Sequence, residues 1–247
     1  MKTVLITGCS SGFGLETARY FLDRDWRVIA TMRIPRDDLL PRSEHLRVLA
    51  LDVTDSESIR QAVDAAGPID VLVNNAGIGM LGALEGTSMS TAREVFETNT
   101  LGTMAMTQAV LPQFRQRKAG VIVNVTSSVT LTPLTLLSVY TASKAAVNAF
   151  TESLALELQP FNIRVSLVLP GRAPQTRFGE NAKPRIQGGI PEAYADLAQS
   201  VFARWAQSSS VTLAQDVAEA VWRAANDPSC PVRIAAGADA VALAESL

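Results

Sequence analysis

The sequence predicts an α/β protein: a doubly wound parallel sheet with helices on both faces, forming one domain over residues 1–247. A helical insertion is expected at about 172–210. Three observations carry this reading. Short β-branched runs alternate with longer segments of helical periodicity from the first residues onward. The runs are apolar at successive positions, as strands covered on both faces require. A glycine-bearing turn joins the first run to the first helical segment, the arrangement of a strand–turn–helix crossover unit.

In chain order, Val4 to Thr7 reads as a buried strand and Gly12 to Asp23 as the first helix. Arg27 to Thr31 and Leu46 to Leu51 are the next strands; a helix over Ser56 to Ala66 leads to the strand Asp70 to Val73. A long helical segment, Thr91 to Gln116, precedes the strand Val121 to Val125, and a helix over Ser138 to Gln159 precedes Ile163 to Val168. The rhythm then breaks at Gly171, Pro174, Gly179, Pro184, Gly188, Gly189 and Pro191, before Glu192 to Ala206 turns helical. Long irregular insertions at the carboxyl end of a strand are usually functional, often as a lid. A last helix, Leu213 to Ala225, and a short strand near Val232 to Ala235 finish the chain.

Composition removes several function classes. With 47% hydrophobic and 19% charged residues, the chain has material for a core and does not read as disordered. Lys plus Arg number 22 against 24 Asp plus Glu, a net charge of −2. No basic excess marks a nucleic-acid or anionic membrane surface. Two cysteines, Cys9 and Cys230, are too few for a disulfide framework and fit a reducing cytoplasm. The single histidine, His45, excludes a multi-histidine metal site, and it excludes a Ser-His-Asp triad unless that residue serves. No apolar stretch reaches the roughly 20 residues that span a bilayer, and no targeting segment stands out, so a soluble, cytoplasmic protein is expected.

Thr7-Gly8-Cys9-Ser10-Ser11-Gly12-Phe13-Gly14 lies between the first strand and the first helix. Glycines there allow positive φ and close backbone approach, so the helix N-terminus can aim free N–H groups at a pyrophosphate. A plain tight strand-to-helix turn would use the same residues. The spacing, however, is Gly-x-x-x-Gly-x-Gly. It resembles the signature of the short-chain dehydrogenase/reductase family, Thr-Gly-x-x-x-Gly-x-Gly. Asn74-Asn75-Ala76-Gly77 is similar to that family's second signature, and Asp52-Val53 to its adenine-contacting pair. The resemblance implies a Rossmann-type fold and a dinucleotide held by Gly8, Ser10, Ser11, Gly12, Phe13, Gly14, Asp52, Val53, Asn75, Ala76 and Gly77, with Pro170 and Gly171 after the sixth strand.

The end of the second strand bears on which dinucleotide. Enzymes that select NAD usually carry an acid there for the ribose 2′-hydroxyl. Here the strand ends Ala30-Thr31-Met32-Arg33. Arg33 offers a planar, permanently charged fork for a 2′-phosphate, and Ser11 a hydroxyl, which favours NADP(H) over NAD(H). A solvated loop charge is the other reading of Arg33.

Tyr140 and Lys144 are four apart on a predicted helix and share one face. Bringing a phenol from its usual pKa of about 10 to about 7 takes roughly 4 kcal/mol of preference for the phenolate. One cation about 4 Å away at an effective dielectric near 20 supplies that order of energy, with desolvation opposing it. Lys144 is such a cation, and an oxidised nicotinamide would be a second. Ser127 stands thirteen residues before Tyr140, at the carboxyl end of the fifth strand, where ligands bind in open α/β sheets. Strand alternation is expected to point its neighbour Ser128 to the opposite face. Asn99 lies inside the long helix, where a buried amide needs either a partner or a break in the helical ladder. By resemblance, Asn99, Ser127, Tyr140 and Lys144 form a tetrad. Ser127 orients a carbonyl and Tyr140 protonates its oxygen. Lys144 also binds the nicotinamide ribose, and Asn99 holds a water that links the lysine to solvent. No metal is implied.

Two departures qualify the match. The family often places a Thr five residues past the Pro after its sixth strand; here Pro170 is followed by Pro174, which lacks an N–H, and by Thr176, one position late. The tail Arg233 to Ala240 lacks the Asp-Gly-Gly ending of fatty-acid-synthesis reductases and looks more like the steroid- and retinol-dehydrogenase branch. The presumed cleft is apolar: residues 130–137, Met80 and Leu81, and Phe178, Tyr194, Phe202 and Trp205 near the lid, most of them expected to pack and a minority to touch substrate. A lipophilic ketone or secondary alcohol is the expected substrate, with a 3-oxoacyl thioester as the alternative. A catalytically idle nucleotide sensor or scaffold on the same fold is the competing function. Phe96, Met104, Phe114 and Phe150 enrich two long helices, from which a homodimer or homotetramer is expected.

Overall fold

A computed structural model describes residues 1–185, 190–207 and 209–247; Gly188 and Gly189, counted above among the breaks of the insertion, lie outside them. Among the described residues, seven parallel strands form one sheet in the order β3-β2-β1-β4-β5-β6-β7. They are β1 (Thr3–Ile6), β2 (Arg27–Met32), β3 (Leu46–Ala50), β4 (Val71–Asn74), β5 (Gly120–Val125), β6 (Ile163–Pro170) and β7 (Arg233–Ala236). The order reverses between β1 and β4, so the crevice at their carboxyl ends is the place where such sheets bind ligands.

The alternation of each strand feeds two cores. Val4 and Ile6 of β1, with Val28, Val71 and Val123, pack beneath α1 (Gly12–Leu22) and α8 (Ala214–Asn226). Leu5, between them, joins Ile29, Leu72 and Ile122 on the other face, under α2 (Ser56–Ala66), α4 (Gly102–Arg117) and α5 (Ser138–Leu158). Residues on both faces of one strand are therefore apolar, which is why the runs read as continuous.

Two features depart from the sequence reading, the break in the long helix and a helix beyond the last strand, while the excursion after β6 falls where the insertion was expected. The long helix is broken: α3 (Met89–Phe96) passes through one π turn, Glu97–Leu101, into α4. After β6 the chain leaves the sheet through the short α6 (Phe178–Ala182) and α7 (Ala195–Gln207) before returning at α8. The tail does not end at its strand, because α9 (Ala238–Glu245) follows β7 after Gly237, at φ +94°. Among the described residues no helix is long and apolar enough to cross a membrane.

Candidate active site

The glycine turn lies at the carboxyl end of β1, with Gly8 at φ +75° and Gly12 at φ +58°, both in the region that favours glycine. Thr7 and Asn75 brace it. The Thr7 hydroxyl accepts the N–H groups of Asn75 and Ala76 at 3.0 and 2.9 Å. The Asn75 amide donates to the carbonyls of Thr7 and Gly8 at 2.9 and 3.2 Å. A Cβ on Gly14 would overlap the Gly8 carbonyl and the Asn75 amide, so α1 comes closer than any side chain would permit. Ser11 precedes α1 in extended conformation and its hydroxyl makes no capping bond. Ser10 is exposed and Phe13 half-buried beside it.

Asn99 resolves its burial in both ways the sequence reading allowed. It sits, fully buried, in the π turn, a form of helix frequent at functional sites. Its Oδ1 accepts the Ile78 N–H at 2.8 Å, and its Nδ2 donates to the Ile78 carbonyl at 3.0 Å and to Ser143 Oγ at 3.1 Å. The amide thereby ties the segment after β4 to α5. Gly77 lies at the focus: a Cβ there would stand 3.2 Å from Asn99 Oδ1 and 3.3 Å from Lys144 Nζ.

Lys144 is 5% exposed and donates one hydrogen bond, to the Val125 carbonyl at 3.1 Å. Burial lowers its pKa to about 8. Tyr140 is buried on the same helix; burial pushes its phenol up to about 12, and hydrogen bonding with Ser127 draws it back only in part. Desolvation, which the sequence argument set against the lysine's charge, is the largest cause of both shifts.

Ser127 faces Tyr140, but not through strand alternation. β5 ends at Val125, the chain enters a 3-10 turn at Ser128–Thr130, and both serines are buried. Ser127 caps that turn, its Oγ accepting the Val129 N–H at 3.4 Å. Thr130 and Asn148 steady it, with Thr130 Oγ1 donating to the Ser127 carbonyl at 2.8 Å and Asn148 Nδ2 donating to Thr130 Oγ1 at 2.9 Å. Asn148 follows Lys144 by four on α5, so the helical spacing was a signal for it that the sequence reading passed over. Leu136, in the loop before α5, is buried at φ +64°, a strained position for a branched side chain that no pattern in the sequence marks.

Arg33 is exposed just past β2, whereas its neighbour Met32 is buried in the core. Asp52 Oδ1 accepts from the N–H and hydroxyl of Thr54 at 2.9 and 2.7 Å, and these bonds hold its carboxyl below the usual range. Val53 is buried against Gly102, whose Cβ would meet it at 2.8 Å. Thr176, late in register, still reaches the glycine turn: a Cβ on Gly12 would lie 3.4 Å from Thr176 Cβ. Pro170 ends β6, and the Gly171 N–H donates to the Thr212 hydroxyl at 2.8 Å.

A family model described as short chain dehydrogenase matches residues 2–186. The chain belongs to the short-chain dehydrogenase family. Retinol dehydrogenase 8 of Bos taurus is 43% identical over 182 residues, covering 69% of this chain and 58% of that one. Estradiol 17-beta-dehydrogenase 1 of Rattus norvegicus is 38% identical over 226 residues, covering 86% and 65%. The chain thus spans less than two thirds of the length of both relatives. Among solved structures, a short-chain dehydrogenase from Streptomyces avermitilis is 32% identical with a TM-score of 0.82, covering 100% of this chain and 92% of that one. A serine dehydrogenase complexed with NADP+ is 29% identical with a TM-score of 0.79, covering 94% and 93%. A Burkholderia phymatum homologue in complex with NAD is 26% identical with a TM-score of 0.79, covering 94% and 88%.

Not every apolar residue singled out for the cleft of this short-chain dehydrogenase reaches it. Tyr194 and Trp205 pack with Leu136, Ala198 and Val201 in a small core under α7, and Phe202 stands edge-on to Trp205. Met80 is buried with Val95 and Val139. Phe178 does reach the site, its ring edge-on to that of Tyr140.

Proposed function

We propose that this short-chain dehydrogenase is an NADP(H)-dependent oxidoreductase that interconverts a lipophilic ketone and its secondary alcohol, with Tyr140 as proton donor and acceptor. The observation that carries the reading is the convergence of Tyr140, Ser127, Lys144 and Asn99 beside the braced glycine turn. The residues fit a dinucleotide. Gly8 and Gly12 leave a cradle at an uncapped helix N-terminus for the pyrophosphate, Lys144 keeps donors for the ribose, and Arg33 stands free of the core for a 2′-phosphate.

The nicotinamide, when bound, supplies the hydride that the carbonyl carbon takes up. Ser127 donates a hydrogen bond to the carbonyl oxygen, and Tyr140 gives that oxygen its phenolic proton. A phenol held near 12 rests protonated at neutral pH, the state that reduction needs. Lys144, charged below about 8, stabilises the phenolate that remains. Reversal oxidises the alcohol.

The lipophilic substrate class is supported by Phe178 beside Tyr140 and by the two relatives, named for retinol and estradiol. The excursion after β6 serves as the lid. A homo-oligomer through α4 and α5 is part of the same reading, with one adjustment: Phe114 is fully buried against Gly120 and belongs to the core. Leu101, Met104, Leu111 and Phe150 instead line an apolar groove of about 360 Å³. Sedimentation at micromolar concentration is expected to show dimer or tetramer, and a monomer would overturn that part.

The test is loss of NADPH absorbance with a panel of hydrophobic ketones, repeated with Tyr140→Phe. Turnover that survives the substitution removes Tyr140 as proton donor. Tight NADPH binding without turnover of any ketone or alcohol would favour the idle sensor. Arg33→Ala is expected to lower the preference for NADPH over NADH; an unchanged preference removes Arg33 from that role.

A further inference from the structure

The excursion that carries Thr176 and Phe178 leaves the sheet after β6 and returns just before α8, and its two ends meet. The Thr212 N–H donates to the Arg172 carbonyl at 2.8 Å, and the Gly171 N–H donates to the Thr212 hydroxyl at 2.8 Å. Onto this junction the first turn of α9 brings Asp239. One carboxylate oxygen accepts the Arg172 N–H at 2.6 Å, and the other accepts from the Thr212 hydroxyl at 2.7 Å. Thr212 is 1% exposed, so the second of these bonds is sheltered from competing water.

The backbone is shaped to admit the carboxylate. A Cβ on Gly171 would overlap the Asp239 carboxylate, and one on Gly237 would overlap Thr212 Oγ1. Gly237 also takes a φ of +94°, which turns the chain from β7 into α9 at the point where Asp239 must face the junction. Two glycines, one threonine and one aspartate from three separate stretches of chain thus form one clasp. The segment clasped bears directly on the site: Thr176 lies over Gly12, and Phe178 lies against Tyr140.

We propose that Asp239 is a positioning residue: from the C-terminal tail it clasps both ends of the excursion and holds the segment that covers Tyr140 and the glycine turn. Its consequence for turnover rests on the reading of Tyr140 as the reacting hydroxyl; the clasp itself does not. A tail that only added apolar contacts to β7 would need neither a carboxylate at 239 nor a missing side chain at 171.

Hydrogen exchange followed by mass spectrometry on the full chain, with ketone reduction measured alongside, tests this. Asp239→Ala is expected to speed exchange over residues 172–185 about tenfold or more, the loss of a charge-assisted hydrogen bond, while α1 exchanges as in the wild type. KM for the ketone should rise by a similar factor, with kcat and NADPH affinity changing less. Asp239→Asn should retain most wild-type behaviour: its oxygen still accepts from Arg172, its amide donates to Thr212 Oγ1, and that hydroxyl turns to the Ala236 carbonyl, 3.0 Å away. Gly171→Ala should reproduce the Asp239→Ala exchange pattern and add little to it in the double variant. Unchanged exchange over 172–185 in Asp239→Ala overturns the proposal. So does exchange that rises as much in α1 as in the excursion, because the role would then be general stability. Absence of turnover in the wild type would count against Tyr140 as the reacting group and leave the exchange data to decide the clasp.

Discussion

The ring of Phe178 stands edge-on to that of Tyr140, with centroids 5.7 Å apart and planes at 60°. Its edge fills the space a side chain at position 79 would need, since a Cβ on Gly79 would come within 2.7 Å of the ring. The aromatic wall of the site therefore depends on a glycine far away in sequence. Phe178→Ala is expected to raise the ratio of kcat/KM for bulky over small ketones by about tenfold, the scale on which apolar pockets discriminate. Gly79→Ala should move selectivity in the same direction by displacing the ring, and should add nothing in the Phe178→Ala background. Steady-state kinetics on matched ketones checks both.

Lys144 links stability to pH. Unfolded, it holds its proton to about 10.5; folded, burial brings the pKa down to about 8. Between these values the unfolded chain binds more protons than the native one, so this residue's contribution to stability rises with pH. Below about 8 the full burial cost, about 3 kcal/mol, is present. Urea unfolding of the wild type and Lys144→Met should show the wild type gaining about 2 kcal/mol on the variant between pH 7 and pH 9.5.

On the proposed reading of Tyr140 as proton donor, the same two groups would set the pH profile of ketone reduction. Tyr140, near 12, stays protonated across the working range and gives no limb there. Lys144 loses its charge near 8, so kcat/KM for reduction is expected to fall above that pH as the phenolate loses its stabilising cation. A profile flat to pH 10 would remove the lysine charge from the reaction.

Gly14→Ala places a methyl group into the Gly8 carbonyl and the Asn75 amide. The variant is expected to lose about 1–3 kcal/mol of stability and most of its NADPH affinity, because α1 must back away from the turn. Thermal unfolding and fluorescence titration with NADPH check the two effects separately.

The sequence by itself determined the fold and the residue types of the site. Apolar runs such as Val71 to Val73 report strands buried on both faces, and the spacings Gly8-Gly12-Gly14 and Tyr140-Lys144 are local, set by one turn and one helix. Only the tertiary structure decided what depends on distant contacts and on water exclusion. Burial from all sides, which the four-residue spacing does not report, raises the pKa of Tyr140 and lowers that of Lys144. The π turn at Asn99 exists because the amide bonds Ile78 and Ser143, 21 and 44 residues away. Thr176, out of register by the count of residues, reaches Gly12 because the excursion folds back over the turn. The helix carrying Asp239 was passed over because nothing local announces it; its role appears only where β6, the return of the excursion and the tail meet. Periodicity records which neighbours along the chain share a face, and a site assembled from many separate stretches is a fact about the packing between them.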